Sequence, residues 1–153
     1  MIHRDLKPSN VFLVAEGEGA PLVKVLDFGI AAGEPASGSS AKLTNVESLL
    51  GSPAYMAPEQ MMSSADVDAR SDIWSMGALL YQALTGHLPF PGEGPLEIFS
   101  KAMTRPPVPL RAHVKETPPE VEAVILKCLR KQRDDRYSTM NELASALRAV
   151  ALA

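Results

Sequence analysis

Two short β-rich runs open the apolar pattern of the chain: Val11-Phe12-Leu13-Val14, and Leu22-Val23-Lys24-Val25-Leu26. Between them lies Ala15-Glu16-Gly17-Glu18-Gly19-Ala20-Pro21, so the pair predicts a β-hairpin. Residues 33–53 are rich in Gly, Ser, Ala and Pro, lack a period, and predict a long loop. From residue 69 the pattern turns helical. Ile73, Met76, Leu80 and Leu84 mark one face, while Trp74, Leu79, Tyr81 and Ala83 cover much of the rest, which predicts a buried helix closed by Thr85-Gly86. A short helix is expected over Pro95 to Met103, then a Pro-rich connection over 104–117. Thr117-Pro118-Pro119-Glu120 and Thr139-Met140-Asn141-Glu142 both read as capping boxes opening helices. Val121, Val124, Ile125, Cys128 and Leu129 come after the first; Met140, Leu143, Ala144 and Leu147 accompany the second. The fold class is therefore mainly α, with one small hairpin near the start and no internal repeat.

Composition narrows the function classes. With 153 residues the chain is long enough to bury a true core. A net charge of −3 and a pI of about 5.6 argue against a nucleic-acid binder driven by phosphate neutralisation. The single cysteine, Cys128, excludes an intrachain disulfide and reads as a small buried thiol. No run approaches the roughly 20 apolar residues of a membrane span, and His3, Arg4, Asp5 and Lys7 interrupt any signal-peptide core. A soluble chain in a reducing, cytoplasmic compartment is the default expectation, or one on the cytoplasmic face of a membrane protein in the full-length context.

Two polar clusters carry the candidate chemistry: His3-Arg4-Asp5-Leu6-Lys7-Pro8-Ser9-Asn10 before the hairpin and Asp27-Phe28-Gly29 after it. Each alone could be turn residues. A hairpin, however, brings the residues before its first strand close to those after its second. Asp5, Asn10 and Asp27 should then converge, with Lys7 beside them. Two carboxylates, an amide oxygen and an ammonium suit Mg²⁺ and phosphate, because Mg²⁺ prefers hard oxygen ligands shared with substrate phosphates.

These clusters resemble the catalytic and metal-binding loops of eukaryotic-type (Hanks-type) Ser/Thr protein kinases, and the style of the sequence resembles bacterial members. Four further matches occur in order: Gly51 to Glu59 resembles the end of an activation segment, Ser71 to Gly77 the start of the central helix, and Leu84 to Phe90 and the late Arg136 also fit. The resemblance implies a large (C-terminal) lobe with the catalytic loop at 3–10, the metal-binding loop at 27–29, the activation segment at 27–59 and a helical subdomain at 60–153. It also implies ATP and Mg²⁺ (or Mn²⁺) as cofactors and protein Ser/Thr residues as acceptors. Asp5 becomes the base for the acceptor hydroxyl, and Lys7 the cation facing the γ-phosphate. Asn10 and Asp27 become the metal ligands, and Gly29 the residue that frees the backbone after Asp27.

Arg4, before the catalytic Asp, implies pairing with a phosphate on the activation loop. Ser48 and Thr44 are the candidate acceptors of that phosphate, and Ser52 stands where the family usually has Thr. His3 and Asp72 are expected to support the catalytic loop, and Glu59 and Arg136 to form a buried ion pair. Gln132-Arg133 departs from the family's usual Asp-Pro. No G-x-G-x-x-G occurs, so the small lobe is expected to be absent, with a small lobe or another kinase as its complement. That expectation includes an apolar face left open around Trp74 and little activity for the chain alone. The alternative is an inert fragment serving as a protein-binding module.

Overall fold

The computed structural model describes residues 2–15, 17, 19–26, 53–62 and 67–151. β1 (Val11–Val14) and β2 (Leu22–Val25) pair antiparallel, with Val11 opposite Val25 and Val14 opposite Leu22. Five helices come next among the described residues: α1 (Pro58–Met62), α2 (Ala69–Thr85), α3 (Pro95–Thr104), α4 (Pro119–Cys128) and α5 (Met140–Ala151). The hairpin and the later four helices agree with the sequence pattern, which held no signal for α1. The long loop expected over 33–53 lies outside the described residues, apart from its last residue, Pro53.

α2 is the axis of the fold. Its Asp68 cap accepts the Arg70 N–H, and Gly86 closes it at φ 72, a left-handed conformation that favours glycine. Ile73, Trp74, Ala78 and Tyr81 are at most 1% exposed. One side of α2 packs Trp74, Ala78 and Tyr81 with Phe90, Leu110, Ile125 and Leu129, while the other sets Ile73 against Val124, Cys128, Tyr137 and Leu143. Fully burying each large apolar side chain contributes about 1.5–3 kcal/mol. α4 packs on α2, and α5 on both. Gly77 is where α2 and α4 come closest: a Cβ there would meet the Cys128 Cβ at 2.5 Å. Burial pushes the Cys128 thiol up to about 12, and it donates to the Val124 carbonyl.

Two expectations are corrected. Trp74 is buried, stacked at 5.5 Å on Phe90; the exposed apolar side chains near the start of the chain are instead on the hairpin and just after it, including Leu13 at 70% and Val23 at 56%. Thr117 does not cap α4. The cap position is Pro118, whose ring has no acceptor to offer the first-turn N–H groups. A residue before proline is driven from the α region. Pro118 therefore sits extended at φ −57, ψ 137, and pushes Thr117 one position too far out. The second capping box does form in modified register: Thr139 Oγ1 accepts the Glu142 N–H, and Glu142 reaches back to the Ser138 N–H.

Lys131 is a costly polar group of this core. Its Nζ lies 3.8 Å from the Phe90 ring centroid and 5.1 Å from that of Trp74, with no hydrogen-bond partner among the described residues. Burial, then the nearby Arg136 charge, push the ammonium down to about 8 from 10.5. Between those values the folded chain holds fewer protons than the unfolded chain, so this residue makes stability rise with pH. Lys131→Met is expected to be neutral or stabilising at pH 7 and to remove the gain in urea midpoint between about pH 8 and 10.5. Gly77→Ala should lower stability by about 1–3 kcal/mol through overpacking against Cys128. Denaturant titration at constant m-value checks both.

Candidate active site

The segment before β1 is built on a single 3₁₀ turn, Pro8–Asn10, entered from an extended Lys7. The turn swings Asn10 inward until it is 5% exposed. Its Nδ2 donates to the Asp5 carbonyl at 2.8 Å and to Asp5 Oδ2 at 3.3 Å. Lys7 Nζ stands 2.7 Å from the same Oδ2. Asp5, Lys7 and Asn10 thus converge within one turn of chain. The Asp5 side chain is 39% exposed, so the ion pair contributes only about 0–1 kcal/mol to stability; its value is positional. With the Asn10 nitrogen committed to Asp5, the amide oxygen is the atom left to offer a cation.

The supports of this turn are buried behind it. Asp72, in the first turn of α2, accepts the His3 N–H on Oδ2 at 2.7 Å and the Arg4 N–H on Oδ1 at 2.8 Å. The Arg4 carbonyl accepts Gln60 Nε2 at 2.9 Å. Arg4 needs this clamp because its φ is 69, the only positive φ on a non-glycine among the described residues. Such strain costs about 1–3 kcal/mol, and two hydrogen bonds to a carboxylate, each worth about 1.5–3 kcal/mol, offset it. His3, 5% exposed, receives the Asp5 N–H on Nδ1, which leaves the ring proton on Nε2 to donate to the Leu26 carbonyl at 3.1 Å. The Leu26 N–H donates to the Asn10 carbonyl at 2.9 Å. The backbone just before Asp27 is therefore tied to both ends of the Asp5 turn.

Glu59 and Arg136 anchor the other flank. Arg136 donates to both Glu59 oxygens, at 2.7 and 2.9 Å, and to the carbonyls of Arg130, Arg70 and Lys131; its side chain is fully buried and that of Glu59 is 11% exposed. Ser71 Oγ donates to Glu59 as well, at 2.7 Å. Burial pushes the Glu59 carboxyl up, but the Arg136 guanidinium and the Ser71 hydroxyl together outweigh it and hold the group below its usual 4.5. A small crevice beside the Asp5 turn is lined by Arg4, Asp5, Leu6, Tyr55, Met56 and Ser75. Past Tyr55 lies a cleft of about 350 Å³ whose walls include Pro53, Leu88 and Ile98.

Asp27, Gly29, Thr44, Ser48 and Ser52 lie outside the described residues. His87 and His113 are exposed and stack on each other at 4.2 Å. Gln132-Arg133 leads into a short 3₁₀ turn, Arg133–Asp135. Sequence reasoning missed Gln60 and Leu26. Gln60 contacts a carbonyl 56 positions away, and Leu26 acts through its backbone, so neither leaves a local signal.

The profile of the family described as protein kinase domain matches residues 1–147. The chain is 42% identical over all of its length to the serine/threonine-protein kinase Pkn1 of Myxococcus xanthus, covering 21% of that protein. It is 39% identical over 96% of its length to the serine/threonine-protein kinase PknB of Mycolicibacterium smegmatis, and 38% identical to its namesake in Mycobacterium tuberculosis, covering 22% of each. The chain thus spans about a fifth of the length of these curated relatives.

Removing one partner of the Glu59–Arg136 pair leaves a buried charge, and Arg136→Leu should cost roughly 3–5 kcal/mol. Because the Glu59 carboxyl is held low, its contribution is complete above about 4.5 and lost as pH falls through the folded value. Glu59→Gln should therefore flatten that part of the acid limb in a stability-against-pH series, besides lowering the plateau.

Proposed function

This chain belongs to the protein serine/threonine kinase family, and we propose that its Asp5 turn is the acceptor side of a phosphoryl-transfer site acting on protein Ser or Thr hydroxyls. The observation that carries this reading is the convergence of Asp5, Lys7 and Asn10 on one carboxylate oxygen, clamped from behind by Asp72. Asp5 accepts the proton of the acceptor hydroxyl. Lys7, already at that carboxylate, neutralises phosphate charge at the point of transfer. Asn10, through its amide oxygen, and Asp27 would hold Mg²⁺ (or Mn²⁺), a donor set that fits a hard cation taking its other ligands from water and phosphate. The metal supplies charge neutralisation of the ATP phosphates when bound.

The cleft of about 350 Å³ past Tyr55 is the proposed resting place of an acceptor segment. Arg4, on the strained residue beside the base, is the proposed receiver of a phosphate on Ser48 or Thr44, with Ser52 bridging toward the base. His3, Gly29, Glu59, Asp72 and Arg136 act by holding shape. The proposed setting is the large lobe of a cytoplasmic kinase; no described helix is long and apolar enough to cross a membrane. No Gly-rich phosphate loop occurs in the 153 residues, so the chain by itself is proposed to turn over little ATP. A second reading, a protein-binding module, is favoured by the exposed apolar residues of the hairpin.

The test replaces the matching stretch of the Myxococcus xanthus relative with residues 1–153. The chimera should phosphorylate a generic Ser/Thr substrate with Mg·ATP. Asp5→Asn should lower kcat by about 10²–10⁴-fold with little change in the KM for ATP and an unchanged melting temperature. A folded chimera indifferent to Asp5→Asn rules the reading out.

A further inference from the structure

The connection between α3 and α4 reads Arg105-Pro106-Pro107-Val108-Pro109-Leu110-Arg111. Its backbone is extended at Arg105 (φ −107, ψ 146) and at Pro109 (φ −59, ψ 140), and each proline ring holds its own φ near about −65. Pro109 has the angles of a polyproline II helix, which has three residues per turn and therefore three edges; the extended stretch ends there, because Leu110–Ala112 forms a 3₁₀ turn.

The burial pattern has that period of three. Pro107 is half-buried and Leu110 fully buried in the α2 core, so one edge is spent on the protein. Pro106 and Pro109, on the second edge, are exposed. The third edge carries exposed Arg105 and half-buried Val108, and exposed Arg111 lies just beyond, in the 3₁₀ turn Leu110–Ala112.

The strip is also fixed in place. The Arg105 N–H donates to the Lys101 carbonyl at 2.8 Å, the Val108 N–H to the Pro89 carbonyl at 3.1 Å and the Arg111 N–H to Glu122 at 3.0 Å. A ligand already held in its bound conformation avoids most of the ordering cost of association.

We propose that Arg105–Arg111 is a docking strip for a protein domain that reads polyproline II helices through an aromatic-lined groove flanked by carboxylates. Such grooves receive the two prolines of a P-x-x-P segment on one edge, leave the opposite edge outside, and set direction by a basic residue beyond the prolines. Here Pro106 and Pro109 supply the pair. The edge such a groove leaves outside is the one already packed on α2. Arg105 and Arg111 place a guanidinium at each end, so charge complementarity calls for acidic side chains in the partner. The strip lies between α3 and α4 and shares no residue with the Asp5 turn, so the proposal stands whether or not Asp5 is a base.

The test is calorimetric titration of the whole folded chain with a purified SH3-type domain whose specificity pocket carries carboxylates. Saturable binding that weakens with salt is expected. The Pro106→Ala/Pro109→Ala double variant should bind at least about tenfold more weakly, with its circular dichroism and melting temperature checked against the parent. Arg105→Glu/Arg111→Glu should weaken binding and abolish its salt dependence. Pro106→Ala alone, at an exposed position, should weaken binding measurably and serves if the double variant unfolds. Binding by a synthetic peptide of residues 103–112 but not by the folded chain overturns the proposal. So does a folded proline variant that binds as well as the parent.

Discussion

The carboxylate of Asp72 is the constraint on which the candidate site depends. It sits in the first turn of α2, where an acid is favoured by the helix dipole, and receives two consecutive backbone N–H groups from a segment 69 and 68 positions earlier. Those bonds hold Arg4 in a conformation it would not choose, and so aim the next residue, Asp5, outward beside Lys7 and Asn10. The site is thus a strained turn carried by the most buried helix of the fold. The strain costs about 1–3 kcal/mol, and it is sustained only because α2 is itself packed on two sides.

A second anchor acts in parallel. Glu59 and Arg136 join α1 to the turn before α5, and Ser71 links the pair to α2 one residue before Asp72. Gln60, next to Glu59, donates to the Arg4 carbonyl. One short helix therefore touches the buried ion pair on one residue and the Asp5 turn on the next.

Much of this was legible in the chain. The hairpin came from two β-branched runs around a Gly/Pro turn, and α2 from apolar residues on nearly every face, because both signals are local and periodic. Cys128 was recognisable as a buried thiol from its apolar neighbours. The cap of α4 was not legible, because Pro118 imposes its own backbone angles on a pattern that otherwise matches a Thr cap. Trp74 was expected near an open face and is instead covered by Phe90 and Lys131, distant along the chain. The convergence of Asp5, Lys7 and Asn10 comes from short spacing. The clamp by Gln60 and the tie through Leu26 depend on long-range contacts that no spacing rule contains.

Amide hydrogen exchange at His3 and Arg4 in this chain tests the central claim that Asp72 sets the Asp5 turn. Both amides should exchange as slowly as the protected amides of α2. Asp72→Ala should speed them to nearly the rate of an open loop while the middle of α2 stays protected. Fast exchange at His3 and Arg4 in the parent chain, or protection that survives the loss of Asp72, would contradict the account.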